Sequence, residues 1–139
     1  MHLLRASCQA LAPVGSLGMI LLAAAVSDFY LPWATMAEHK IQSAAQGDGL
    51  HLDLEPVPKA LGCVGGAWAP SSMVVSFKLE TDEDLVVPKA TRSLAKYGVQ
   101  AVVANRLDTR YDEVKLVARP VGDPGREAEW TEEALLARA

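Results

Sequence analysis

Residues 21–30 read Leu-Leu-Ala-Ala-Ala-Val-Ser-Asp-Phe-Tyr, and the fold turns on what that stretch is. The apolar run that opens at Met19 is too short for a membrane span, which needs about 18 or more apolar residues. Bounded by Gly18 and Asp28, residues 19–25 read as a fully buried strand. The alanines at its end let another molecule approach the backbone closely. A carboxylate just beyond a buried strand stands where open α/β sheets bind ligands.

Working outward, Leu4, Cys8, Leu11 and Ala12 fall at helical spacing and predict an amphipathic helix that stops before Pro13. Residues 27–49 show no sustained period and read as a long loop, a length that in compact domains often marks a lid. Leu50, Leu52 and Leu54 alternate with His51, Asp53 and Glu55, the period of a half-solvated strand. Pro58 is placed to start a helix through Leu61 and Val64, which Gly65 and Gly66 weaken.

Residues 73–79 and 99–104 are two further core strands. Between them Val86, Ala90, Leu94 and Tyr97 form one helical stripe, with Thr81 or Asp82 as cap, Gly98 as terminator and Pro88 as a kink or a late start. Residues 113–118 alternate as one more strand, 122–125 form a turn, and Thr131-Glu132-Glu133 opens a short terminal helix. Strands alternating with helices predict a three-layer α/β, Rossmann-like, mostly parallel sheet flanked by helices.

Composition narrows the function. The 139 residues are half apolar and 22% charged, which suits one packed domain rather than a disordered chain. A net charge of -4 argues against a nucleic-acid partner. Cys8 and Cys63 make no disulfide framework, and His2, His39 and His51 lack metal-site spacing, so no metal site is expected from side chains. Arg5, the run 19–26 and the Ala-x-Ala pattern at 23–25 also mimic a secretory leader. Pro13, Gly15 and Gly18 interrupt that pattern, and cleavage after Ala25 would discard the first core strand.

Each of the three core strands ends in polar groups: Asp28, then the segment Phe77 to Thr81, then Asn105. If the strands are parallel neighbours, these groups meet on one edge of the sheet. Each also has a plainer reading. Asp28 would serve a turn, Phe77 the core, Asn105 a loop cap, and Lys40 and Lys78 would be solvated charges.

Five blocks occur in order: Ala-Ala-Val-Ser-Asp-Phe-Tyr at 24–30, Glu-His-Lys-Ile-Gln-Ser at 38–43, Val-Pro-Lys at 57–59, Ser-Phe-Lys-Leu-Glu-Thr at 76–81 and Val-Val-Ala-Asn at 102–105. Over residues 3–118 the chain resembles the C-terminal half of eukaryotic phosphopantothenate-cysteine ligases, also called phosphopantothenoylcysteine synthetases. The resemblance makes residues 1–120 the ligase-type portion, with a flap at 27–49, and leaves 121–139 outside it.

The resemblance implies a cytoplasmic homodimer in coenzyme A biosynthesis that uses ATP, accompanied by Mg2+. The carboxylate of 4'-phosphopantothenate is activated as an acyl-nucleotide with loss of pyrophosphate, and the cysteine amine then displaces the nucleotide. Ala24, Ala25 and Asp28 inherit the approach to the nucleotide, Lys40 the flap lysine over the reacting phosphates, Phe77 the aromatic beside the base, and Asn105 the asparagine of the next strand. Lys59 is a phosphate-side candidate. Bacterial relatives carry lysines on the helix after the Phe77 block, but Lys89, Arg92 and Lys96 stand at different offsets.

The family's first half carries a glycine-rich loop and an Asn-Phe-Ser-Ser-Gly type segment, and neither occurs in this sequence. The expectation is a fragment lacking the N-terminal strands. A non-catalytic nucleotide-binding module is the competing reading, and a small secreted protein the third.

Overall fold

The computed structural model describes residues 1–24, 26–41 and 49–119, together with the backbone of 131–136. In chain order the labelled elements are helix α1 (His2–Leu11), strands β1 (Met19–Leu22), β2 (Phe29–Tyr30) and β3 (Glu55–Pro56), helix α2 (Leu61–Cys63), strand β4 (Met73–Glu80), helix α3 (Glu83–Tyr97), and strands β5 (Ala101–Arg106), β6 (Glu113–Ala118) and β7 (Thr131–Leu136). Two compact units result: Met1–Ala24 with Ala60–Ala139, and Ala25–Lys59.

The larger unit holds a five-stranded sheet in the order β1-β4-β5-β6-β7. β1, β4 and β5 are parallel, β6 is antiparallel to β5, and β7 antiparallel to β6, so four of the five strands point one way. The core lies between one face of this sheet and the helices, with Cys8 of α1, Val86, Ala90 and Leu94 of α3, and Val74, Val102, Ala104 and Val117 of the sheet. The mostly parallel α/β sheet is the expected one. The helix layer that a three-layer arrangement calls for on the second face is not formed by the described elements.

Helix α3 forms where its stripe predicts, and Val86, Ala90 and Leu94 are buried. The Asp82 carboxylate accepts from the Asp84 amide at 3.0 Å, satisfying a donor that the first turn leaves orphaned. Pro88 is accommodated inside the helix. Gly98 ends it in the left-handed region at φ 67°, and its amide returns to the Leu94 carbonyl.

Three expectations are corrected. β1 is an edge strand rather than a fully buried one, because only β4 pairs with it and Met19 and Leu21 lie open. Residues 50–54 form no strand, and Leu50, Leu52 and Leu54 are exposed, since an alternating pattern without a pairing partner has nothing to hold it. Residues 131–136 form β7 on the free edge of β6 instead of a short terminal helix. The expected turn at 122–125 lies outside the described residues. The leader-like stretch forms α1 and the sheet strand β1, and among the described residues no helix is long and apolar enough to cross a membrane.

Gly98→Ala isolates the cost of the left-handed backbone, because a Cβ there would meet no atom within 4 Å. We expect a loss of about 1 kcal/mol, read as a lower urea midpoint with an unchanged slope.

Candidate functional site

The three parallel strands of the larger unit end on one edge, β1 toward Ala24, β4 at Lys78 to Glu80 and β5 at Asn105 and Arg106. Register then sorts these residues between faces. Phe77 is level with Val103 and Leu79 with Asn105, so strand alternation puts all four on one face. Lys78, Glu80, Ala104 and Arg106 take the other, which α3 covers. Ala24 is exposed, Phe77 is exposed and Asn105 is partly so. An aromatic ring, an amide and a small residue thus share one edge, a set that can stack on a base and hydrogen-bond to it without adding charge.

The charge at this edge sits on the helix side. Glu80, whose side chain is only 10% exposed, accepts from Lys89 Nζ at 2.6 Å and pairs with Lys78 Nζ at 2.9 Å. Burial pushes its carboxyl up, but the bonds from Lys89 and Lys78 and their charges outweigh that and hold it below the usual carboxylate range. Nearby, Arg106 binds Glu83 at 3.1 Å and Asp108 at 2.5 Å, while Lys115 binds Glu83 at 2.5 Å. The Arg106 hydrogen bond holds Asp108 low, and the Lys115 bond does the same for Glu83. The shallow recess under the first turn of α3 is lined by Glu83, Val86, Ala104, Asn105, Arg106, Thr109, Glu113 and Lys115, and both Arg106 and Lys115 already pair with Glu83.

The smaller unit carries the other candidates. β2 and β3 pair antiparallel, Phe29 opposite Pro56 and Tyr30 opposite Glu55. The Tyr30 hydroxyl donates to Glu55 at 3.1 Å, which raises its pKa. Beyond the ladder the Val57 amide bonds to the Asp28 carbonyl at 2.9 Å, and this brings Lys59 Nζ onto the Asp28 carboxylate. Both side chains are mostly exposed, so the pair contributes at most about 1 kcal/mol and exchanges partners readily. Lys40 is exposed, in a stretch without regular structure.

Of the residues singled out from sequence, then, Ala24, Phe77 and Asn105 stand on one edge of the larger unit, and Asp28 and Lys59 form an ion pair in the smaller. Lys40 belongs to the smaller unit as well, and Ala25 lies outside the described residues, as do 42–48 of the flap. Sequence reading missed two things. It named Lys59 without its carboxylate partner, and it set Lys89 aside because its offset differs, although that offset is what carries it back to Glu80. The only available signal for the second was the spacing from a strand end to the second turn of the helix that follows. Among the described residues no three His, Cys, Asp or Glu side chains are grouped to hold a metal ion.

Comparison with known proteins gives the family and the fold. The family described as DNA/pantothenate metabolism flavoprotein C-terminal domain matches residues 5–119. Phosphopantothenate--cysteine ligase 1 of Oryza sativa subsp. japonica is 48% identical over 117 residues, which are 84% of this chain and 36% of the relative. Phosphopantothenate--cysteine ligase of Homo sapiens is 47% identical over 119 residues, 86% of this chain and 38% of the relative. A solved Cab2 mutant in complex with phosphopantothenate-cysteine superposes with a TM-score of 0.74 at 37% identity, over 94% of this chain and 42% of that one. The flavoprotein of that family from Streptococcus pneumoniae, at 19% identity and a TM-score of 0.61, shares the fold. The chain spans little more than a third of the length of the curated relatives it matches.

Glu80→Gln tests the electrostatic base of the edge. Because the carboxyl is held low when folded, its stabilisation is present above the ordinary value of about 4.3 and is lost as pH falls through the lower folded value. The variant should lose roughly 1–3 kcal/mol at pH 7. That deficit should shrink toward pH of about 3, as urea midpoints at the two pH values will show.

Proposed function

We propose, for a chain that belongs to the DNA/pantothenate metabolism flavoprotein C-terminal domain family, that it carries the nucleotide edge of a phosphopantothenate-cysteine ligase. In the reaction, the 4'-phosphopantothenate carboxylate attacks the α-phosphorus of ATP and pyrophosphate leaves. The cysteine amine then attacks the acyl carbon, the acyl–phosphate bond breaks, and the nucleotide departs with formation of the amide. A free carboxylate is a poor acyl donor, so the protein's work is alignment and neutralisation of phosphate charge.

The observation that carries this reading is the identity near 48% to ligases of that name, with Phe77 and Asn105 diagonal to each other on one face near the strand ends. Phe77 stacks beside the base, Asn105 hydrogen-bonds to the nucleotide, and Ala24 and Ala25 allow the backbone close to it. Asp28 contacts the nucleotide. Lys40 neutralises the reacting phosphates, and Lys59 exchanges its weak pair with Asp28 for a phosphate oxygen. Mg2+ accompanying ATP as part of the substrate would supply partial neutralisation of phosphate charge, and no grouped His, Cys, Asp or Glu side chains among the described residues would hold it. By the same reading the protein acts in the cytoplasm, in coenzyme A biosynthesis, as a homodimer.

A second reading is a non-catalytic nucleotide-binding or regulatory module. It is favoured by the edge of Ala24, Phe77 and Asn105, whose uncharged groups suit holding a base.

Calorimetry with ATP and a coupled assay of pyrophosphate release in the presence of 4'-phosphopantothenate separate the two. Binding with turnover supports the ligase and binding alone the module, while a folded chain that does neither contradicts both. Phe77→Ala should weaken ATP binding by about 1–3 kcal/mol if the ring stacks on the base. Unchanged affinity would make Phe77 a packing residue. Lys40→Gln should depress turnover far more than ATP affinity, because its charge acts on developing phosphate charge, and equal loss of both would reduce it to a binding contact.

A further inference from the structure

On the face of the sheet turned away from α1 and α3, four side chains stand at the corners of one small rectangle. Phe77 and Leu79 follow each other on β4, and the parallel register sets Val103 of β5 beside the first and Asn105 beside the second. Strands lie about 4.8 Å apart and two residues along a parallel strand cover about 6.6 Å, so the Phe77–Asn105 diagonal spans about 8 Å. Val103 and Leu79 occupy the other two corners. None of the four is charged, and Asn105 alone is polar.

A base that stacks on the Phe77 ring and offers a polar edge to the Asn105 amide has to bridge that diagonal, which brings it against both remaining corners. Val103 is already partly buried, whereas Leu79 is 49% exposed. Leu79 therefore holds most of the apolar area that a bridging base can newly cover. An open leucine is ordinary by itself, and Met73, on the same strand and face, is just as open at 42%. What distinguishes Leu79 is its corner, next to the aromatic on its own strand and level with the amide on the neighbouring one.

We infer that Leu79 is a specificity-determining residue of the nucleotide edge, an apolar corner that favours a purine over a single-ring base. The inference rests on the nucleotide-edge reading above. The Leu79 side chain has no hydrogen-bonding atom, so it discriminates by shape and covered area rather than by polar pattern. Fused rings bridge the diagonal with one ring on Phe77 and the other against Leu79, and the contact stabilises them in proportion to the area covered. A single ring that keeps its place on Phe77 covers less of Leu79.

Calorimetric titration of the full 139-residue chain with ATP and, separately, with CTP reads this selectivity as a ratio of dissociation constants. The parent should bind ATP more tightly than CTP. Leu79→Ala should weaken ATP about fivefold and CTP by less than about twofold, because the larger base loses more covered area. Leu79→Met, which keeps volume and apolarity, should return the ratio of the parent. Met73→Ala removes an apolar side chain from the same face about 20 Å back along β4, and it should leave both affinities unchanged.

A parent that binds CTP as tightly as ATP overturns the inference, as does equal weakening of the two by Leu79→Ala. The same loss of selectivity in Met73→Ala also overturns it, since selectivity would then belong to the whole apolar face. So does a Leu79→Ala chain without the circular dichroism of the parent, which would assign the side chain to the chain's own packing. If Phe77→Ala weakens ATP while Leu79→Ala keeps the ratio of the parent, the nucleotide edge stands and the role of Leu79 alone falls. A folded parent that binds neither nucleotide removes the edge itself, and the inference with it.

Discussion

Strand β4 is hydrogen-bonded on both sides by parallel strands, β1 on one flank and β5 on the other, and everything useful in the larger unit is defined relative to it. Parallel pairing sends all three strand ends to a common edge. It also fixes which residues share a face, because a slip of one position would exchange every side chain between the faces. Phe77 beside Val103 and Leu79 beside Asn105 follow from the register alone. Gln100 reinforces that register, its side-chain Oε1 accepting from the Val74 backbone N–H at 2.7 Å while the Gln100 backbone N–H donates to the Val74 carbonyl.

The edge then has to tolerate charge next to an apolar core. Glu80 ends β4 with little access to water, and it is stable there because Lys78 and Lys89 supply two cations from a strand and a helix. Removing either lysine would leave a carboxylate partly buried and short of a partner, a costlier state than never having had the pair. The triad therefore ties the second turn of α3 to the end of β4, and this tie complements the Asp82 cap that starts the helix and Gly98 that closes it. Close approach of Gly65 to the Tyr97 carbonyl, where a Cβ would stand at 3.2 Å, fixes the other end of α3 against the segment after α2.

Much of this was legible in sequence where the determinants are local. The stripe Val86, Ala90, Leu94 and its terminating glycine need only neighbours within the helix, and the span 113–118 was read to its exact bounds because its alternation is real and its partners exist on both sides. The same alternation at Leu50, Leu52 and Leu54 failed because period two describes a strand only when another strand is within reach. Thr131 to Leu136 carries helix-favouring residues, yet the open edge of β6 claims the segment, a long-range pairing that outweighs propensity. Asp28 stands out in the sequence as a candidate, but its partner does not. Lys59 reaches it only through the β2–β3 ladder, and two two-residue strands leave almost no periodic signal.

The candidate residues divide by chemistry as well as by unit. Phe77 and Asn105, which carry no charge, stand on the sheet body, where backbone register holds them in place, and the equally uncharged Ala24 follows the end of β1. Asp28, Lys40 and Lys59, which are charged, belong to the smaller unit and are solvent-exposed. That division suits the proposed ligation. Recognition of a base depends on fixed planes and fixed hydrogen-bonding directions, which a three-strand register supplies at no cost to the ligand. Phosphate charge, in contrast, changes during the reaction, as pyrophosphate leaves and then the nucleotide does. Cations that must follow it gain from weak, water-screened pairing in the free protein, because each kilocalorie by which a resting carboxylate binds a lysine is subtracted from what that lysine can offer the phosphate. The Asp28–Lys59 pair, weak because it is exposed, keeps that subtraction small, whereas the Glu80 triad, buried and doubly paired, is committed to holding the edge together.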